Sequence, residues 1–564
     1  MTTATEKTVK TETAKAVSAF MKEGKDGLWS IHGENIVFNR ESGHGRPISD
    51  TLVSMAGRVM GRHTSMGYGK FMPMKVFMRF MDDIDMDYTS DHITGAVSEL
   101  IESAREYREA ARKDLDDKLS KGALEVDDLP VYFDKGMEVI FTVDGKEVGA
   151  IVENCTIQYG FFSQYVEVHG NVIHSITGEV AETAISTRFG VFEGLRPLDK
   201  LPVRKITDDE KKRLTKRGKL WASMVGRAAY MMYSGQLEQN SWYGSKSFRS
   251  EGRIIVDPRN FSRVDSDQYR HEQRHAGLEA APQNETKTAR KVKDEELWRT
   301  YPFVWGFSMA AKMWGRLAVD DITPINWRDD AFEKLVLPER EKKLVRSVVE
   351  HSGDSFSDIV EGKGGGSIFL LHGPPGQGKT LTAETVAEAL RKPLYSISVG
   401  QLGTNPDVLE KRLREILDVA TTWDAVLLLD EADIFLEERT EHDVLRNAMV
   451  GVFLRLLEYH QGVLFLTTNR VKNIDRAFYS RISVALRFGA ADAPKRRQIW
   501  QNLLESAGLD GIGLDLDVLA GHDINGRQIK NVIRLTQTLA KAEGREIDVA
   551  MVSEVIDLTT SFHP

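Results

Sequence analysis

Gly373-Pro374-Pro375-Gly376-Gln377-Gly378-Lys379-Thr380 packs three glycines and two prolines with a lysine and a hydroxyl into eight positions. An apolar run over 367–372 leads into it and a helical pattern over 381–390 follows, so the segment reads strand, loop, helix. A phosphate cradle needs that order. Glycines let successive backbone N–H groups curve round phosphate oxygens, and the helix N-terminus adds its positive end. Lys379 would then reach the β and γ phosphates of ATP, Thr380 would ligate Mg²⁺, and Leu381 would close the cradle on the helix side.

Further along, the apolar run 425–429 suits a strand buried on both faces and ends in Asp430-Glu431. Asp430 is expected to hold Mg²⁺ through water and Glu431 to act as general base on the attacking water. A third buried run, 462–468, ends in Asn469, whose amide could orient that water. Arg481 closes a short helical stretch before another strand, where a guanidinium could reach into a neighbouring subunit and stabilise transition-state charge; Arg476 and Arg487 lie nearby. Arg527, after Asn525-Gly526 at the start of an amphipathic stretch, could return to the γ phosphate from a lid, with a plain capping and surface role as the alternative. Glu431, Asn469, Arg481 and Arg527 are thus the expected catalytic set.

The elements that position these residues must come from a chain too long for one core: 564 residues imply several domains. Hydrophobic residues at 41% and charged residues at 28% exclude disordered and fibrous classes. No run reaches the roughly 18 apolar residues of a membrane span, and the polar N-terminus has no apolar stretch behind it, so a soluble intracellular protein of unspecified compartment is expected. A single cysteine, Cys155, excludes an intrachain disulfide and a multi-cysteine metal site and is expected as a small buried hydrophobe. His169 and His174 lack ligand-spaced partners and read as structural or surface residues. The net charge of −9 argues against nonspecific nucleic-acid binding. Arg204, Lys205, Lys211, Lys212, Arg213, Lys216, Arg217 and Lys219 form a basic run that reads as a solvated face, with phosphate contact as the alternative.

Periodicity divides the chain into a mostly helical region over 1–130, a β-rich domain with a following helix over 131–260, and a charged linker or mobile loop over 261–297. A nucleotide-binding α/β domain with an aromatic lead-in is expected over 298–490, and a helical lid over 491–564. The fold class is multidomain α/β.

In order and kind, these motifs resemble those of AAA+ ATPases throughout 325–564. The segments 327–338, 359–363, 423–436, 446–459 and 525–531 are similar to those of large, poorly characterised AAA-type ATPases, abundant in fungi, that carry an upstream β-rich domain. The resemblance implies a P-loop module with a parallel sheet, flanking helices and a helical lid, assembled as a homo-oligomer, by family a hexamer. It also implies that residues 332–336 line the adenine pocket. Ser480-Arg481 looks like the finger of clamp-loader ATPases and departs from the Arg-Pro-Gly-Arg form of many unfoldases. The loop that carries a polypeptide-gripping aromatic in threading machines reads Gly400-Gln401-Leu402-Gly403-Thr404, where only Leu402 could substitute.

The expected activity is Mg-ATP hydrolysis coupled to remodelling of a macromolecular partner, a protein client whose identity the residues do not give. The alternative is a clamp-loader-like or helicase-like ATPase on nucleic acid, suggested by Ser480-Arg481 and the basic run. A scaffold that binds ATP without cleaving it is disfavoured by the presence of Glu431 and Asn469.

Overall fold

A computed structural model describes residues 21–23, 29–32, 35–38, 71–73, 91–159, 164–176, 178–241, 244–264, 291–350, 366–439, 443–458, 460–470 and 474–560. Of the linker expected over 261–297, residues 265–290 lie outside the described residues, as does the segment 359–363, while its flanks fall in the helix Pro258–Val264 and the helical turn Asp294–Arg299.

The C-terminal unit is built on a five-stranded parallel sheet in the order Leu394–Ser398, Val426–Asp430, Val463–Thr468, Ser367–His372, Val484–Arg487. Parallel neighbours need crossovers, and helices supply them on both faces. Alternation along each strand decides what they cover. Leu427, Leu429, Leu464 and Leu466 pack with Leu409, Leu413 and Phe453 of the helices Pro406–Thr422 and Val444–Leu457. Val426, Leu428, Phe369 and Phe465 face the other way, onto Ala383, Val386 and Ala387 of the helix Lys379–Ala389 and onto Val345 and Val349. The strand that ends in Asp430 is therefore buried on both sides, as its apolar run requires. After the last strand come the helices Ala493–Ser506, Leu516–Gly521, Gly526–Glu543 and Val549–Thr560, with a core of their own around Trp500, Ile529, Val532 and Val555.

Upstream lie antiparallel sheets. One runs Arg204–Lys205, Glu138–Val143, Lys146–Tyr159, Gln164–Ile176, Glu179–Gly190. The turn at Asp144-Gly145, with φ of 46° and 76°, makes the first hairpin. The strand Lys146–Tyr159 is one long strand whose register against its neighbour shifts between Val152 and Asn154. Cys155 is buried there.

The region 1–130 differs from its helical expectation. The helix Asp91–Leu119 is present, but four short strands, Met21–Glu23, Trp29–His32, Asn35–Phe38 and Phe71–Pro73, pair as an antiparallel sheet. Too few residues of each strand alternate for the pattern to separate from helix.

The aromatic lead-in also belongs elsewhere than the 298–490 boundary suggests. Phe303–Ser308 and Met313–Ala318 pair with each other and with the long strands Ala229–Ser241 and Gly244–Val256, which pair together and close the sheet on itself. The physical reason is that these strands bury both faces. Val304 and Leu317 pack with Trp221 and Ile254, whereas Phe307 and Trp314 turn toward the parallel-sheet unit. There Trp423 sits 5.5 Å from Phe307, 5.8 Å from Trp314 and 5.3 Å from Tyr395, and its indole N–H donates to Asp257 at 2.7 Å. Arg253 bonds the Glu388 carboxylate and lies over the Trp327 ring at 4.9 Å, while Glu388 also accepts the Arg328 backbone N–H at 2.8 Å. Glu388 stands at the far end of the helix that begins with Lys379, so the upstream sheets and the phosphate loop share one rigid element.

Candidate active site

Ligand sites in open parallel sheets form at the carboxyl ends of the strands. Here those ends are His372, Asp430 and Thr468, and the loop 373–378 runs from the first of them into the helix Lys379–Ala389. The loop can curve because Gly373, Gly376 and Gly378 hold φ of 146°, 78° and 94°. A side chain at 376 would also meet Asn525 Oδ1 at 2.6 Å, so the start of the helix Gly526–Glu543 closes directly on the loop. Asn525 caps that helix by accepting the Gln528 N–H at 3.0 Å.

Lys379 is 8% exposed. Its ammonium donates to the carbonyls of Gly373 and Pro374, both at 2.7 Å, and to Asn469 Oδ1 at 2.9 Å. Three protons thus point at three oxygens, a donor set that phosphate oxygens can take over. Burial lowers the Lys379 pKa; the charges of Asp430 and Asp433 oppose that shift, and Arg527 adds to it. An anion in the cradle would offset the burial. His372, one residue before the loop, is also held below the usual imidazole range, by burial and by the charges of Arg487 and Lys379.

Thr380 Oγ1 donates to Asp430 Oδ1 at 3.4 Å, a long bond that brings hydroxyl and carboxylate to one spot. A hydroxyl beside a carboxylate is the oxygen donor set that a hard divalent ion takes, so the residues present fit Mg²⁺. Glu431 follows with φ of 56°, a left-handed conformation that costs a non-glycine residue about 1–3 kcal/mol and persists only when its surroundings enforce it. Its N–H donates to Thr467 Oγ1 at 3.0 Å, and the Ala432 N–H to the Thr467 carbonyl at 2.9 Å. The Glu431 side chain is exposed, at the open end of the sheet.

The structure thus brings Lys379, Thr380, Asp430, Glu431 and Asn469 together, with Arg527 within electrostatic reach of Lys379. Arg481 is not joined to them. Its guanidinium donates to the Ala477 carbonyl at 2.9 Å and to Glu458 at 3.4 Å, and among the described residues no hydrogen bond ties it to the loop or to Asp430. Phe332 and Leu335 are buried against Phe369, and Asn502 Nδ2 donates to the Lys334 carbonyl at 2.6 Å, so the 332–336 segment bridges the sheet unit and the lid.

Two residues escaped the sequence reading. Asp433 accepts from Thr468 Oγ1 and from the Asn469 N–H at 3.2 Å, and Thr467 holds Asp430 and Glu431. The available signal was the hydroxyl pair preceding Asn469, which β-propensity alone also explains.

One expectation is corrected. Leu402 is fully buried, packed with Leu409 and Leu413, and does not project as a substitute for a gripping aromatic. The apolar pull of that cluster outweighs exposure in a short loop. The basic run is drawn into ion pairs: Arg204 and Arg213 with Glu147, Lys211 with Glu138, Lys212 with Asp209, and buried Arg217 with Asp320. Only Lys205, Lys216 and Lys219 of the eight are exposed without a partner of this kind among the described residues. His169 lies 3.6 Å from Glu167, which Arg188 already bonds, and His174 is buried between Tyr301 and Trp305. No group of three or more His, Cys, Asp or Glu side chains suited to a metal occurs among the described residues. No helix among them is long and apolar enough to cross a membrane.

Residues 369–490 match the family model described as "ATPase family associated with various cellular activities (AAA)". A mitochondrial sorting homolog of Caenorhabditis elegans is 28% identical over 202 residues, covering 34% of this chain and 59% of that protein. A putative 26S proteasome regulatory subunit homolog of Methanothermobacter marburgensis is 29% identical over 201 residues, covering 32% and 53%. Spastin of Dictyostelium discoideum is 28% identical over 231 residues, covering 39% and 32%. The chain spans only part of the length of each of these curated relatives.

Proposed function

We propose, from the premise that this chain carries an AAA-type ATPase module at residues 369–490, that it hydrolyses ATP with Mg²⁺ and couples the reaction to remodelling a protein partner. The observation that carries the reading is the meeting of Lys379, Thr380, Asp430 and Asn469 at the carboxyl end of one parallel sheet, beside Glu431 on its constrained turn. In this reading the backbone of 373–378 and the helix start cradle the phosphates, together with Leu381, and Lys379 neutralises the β and γ oxygens. Thr380 and Asp430 would hold Mg²⁺, Asp430 through water, and the ion would supply charge neutralisation on the phosphates. Glu431 takes the proton of the attacking water, Asn469 orients that water, and Arg527 approaches from the lid.

Protein rather than nucleic acid is favoured as the partner because the basic run is largely consumed within the fold, and because relatives include a spastin and a proteasome regulatory subunit homolog. Arg481, bonded away from its own site, is read as acting on a neighbouring subunit of a homo-oligomeric ring, by family a hexamer. Mixing Arg481→Ala with Glu431→Gln subunits, each nearly inactive alone, is expected to restore part of the turnover, because the intact Arg481 of one variant meets the intact Glu431 of the other. No recovery of turnover in the mixed oligomer would remove the trans role.

A further inference from the structure

We infer that Thr467 is a positioning residue for ATP hydrolysis: its hydroxyl locks the Asp430 carboxylate and the Glu431 backbone into one fixed arrangement. The inference deepens the ATPase reading and rests on it. Thr467 is buried on the central strand Val463–Thr468, between the strand that leads into the phosphate loop and the strand that ends in Asp430. A threonine hydroxyl has one proton and acceptor lone pairs. The proton goes to Asp430 Oδ1 at 2.5 Å, and the oxygen accepts the Glu431 N–H at 3.0 Å. The same residue's carbonyl accepts the Ala432 N–H at 2.9 Å. One side chain and its own carbonyl therefore grip three consecutive residues of the turn, at the point where Glu431 takes φ of 56°.

The competing donor to Asp430 Oδ1, Thr380, is longer at 3.4 Å, so Thr467 is the closer constraint on that oxygen. Thr468 faces the other way, as alternation along a strand requires, and bonds Asp433 instead. Asp430 and Glu431 would carry separate jobs, holding the ion and accepting a proton. Thr467 sets the spacing between them without touching the substrate. A serine keeps both hydrogen bonds; a valine keeps the shape and loses both.

The test uses the full chain with Thr467→Val and Thr467→Ser. The valine variant is expected to lose about 10- to 100-fold in kcat, the scale of an ångström-level misplacement of reacting groups, with KM for ATP changed less than about 3-fold. The serine variant is expected to recover to within about 3-fold of wild type, which a purely packing role for the methyl group would not allow. Turnover of the valine variant within about 2-fold of wild type, or equal loss in both variants, overturns the inference. Should the valine variant melt below the assay temperature, Thr467→Ala replaces it, with the same outcomes.

Titrating Mg²⁺ into the protein with a fluorescent ATP analogue gives a second readout. The half-saturating Mg²⁺ concentration is expected to rise by about 5-fold or more in the valine variant, because the Asp430 carboxylate has lost its fixed orientation. An unchanged Mg²⁺ requirement overturns the role at Asp430. Wild-type protein that binds the analogue but never hydrolyses ATP would instead defeat the ATPase reading, and the Mg²⁺ titration would still decide the placement role of Thr467.

Discussion

Glu431→Gln is expected to lower ATP turnover by roughly 10²- to 10⁴-fold while leaving nucleotide affinity within a few-fold. Glutamine keeps the volume of the side chain and can sit on the same turn, since the N–H that donates to Thr467 belongs to the backbone. It loses the capacity to accept a proton from water at neutral pH. Binding should survive because Lys379, the loop 373–378 and the Thr380–Asp430 pair remain intact. Single-turnover hydrolysis alongside equilibrium binding of ATP separates the two effects. Loss of binding equal to the loss of turnover would mean that Glu431 shapes the site and does not act on water. Full activity would end its role as base.

Acidification below about pH 6.5 is expected to destabilise the fold through two histidines, by up to roughly 1.4 kcal/mol per pH unit for each. His174 is buried against the rings of Tyr301 and Trp305, at 4.7 and 4.8 Å between centroids, and burial lowers its pKa to about 3. Burial likewise lowers His460 to about 4. In the unfolded chain both titrate near 6.5. Above that pH neither state takes a proton and stability is full. As pH falls below it, the unfolded chain gains protons that the folded one refuses, and the loss continues until the folded pKa of each is reached. Carboxylates add a further loss only at lower pH: Glu210, held at about 2 by its hydrogen bond to Arg204, contributes below its ordinary 4.5. Between pH 6.5 and 4.5 the two buried histidines dominate; His372, also held below its ordinary value, adds in the same direction, and Glu384, whose pKa burial raises, opposes them. Urea midpoints followed by tryptophan fluorescence at pH 7, 5.5 and 4.5 measure the slope. His174→Phe, which keeps an aromatic ring in the cluster, should flatten it for the upstream sheets; an unchanged slope would mean that His174 titrates normally.

Part of this molecule was legible without coordinates. The loop 373–380, the apolar run ending at Asp430-Glu431 and the run ending at Asn469 are each local patterns, and the structure places them at the carboxyl ends of one parallel sheet. Their continuous apolar runs and their glycine spacing are properties of neighbouring residues, so a linear reading reaches them. The hairpin at Asp144-Gly145 is legible for the same reason.

Other features depended on partners distant in the chain. Residues 303–318 look like a prelude to the nucleotide-binding unit, yet their backbone pairs with strands around 229–256, because a strand joins whichever edge offers unpaired N–H and C=O groups. Leu402 sits where a pore residue is expected, but its neighbours Leu409 and Leu413 bury it. Thr467 is an unremarkable strand residue until Asp430 and Glu431, on the adjacent strand, come within reach of its hydroxyl.

The sequence by itself determined that this chain can offer a loop of backbone N–H groups, a lysine, a hydroxyl and two acids to a nucleotide, since those depend on spacing along the chain. Tertiary structure alone decided which charges remain for partners. Lys211 meets Glu138, Arg213 meets Glu147 and Arg217 meets Asp320 across long stretches of sequence. Charge pairing falls off with distance in space, and only packing sets that distance.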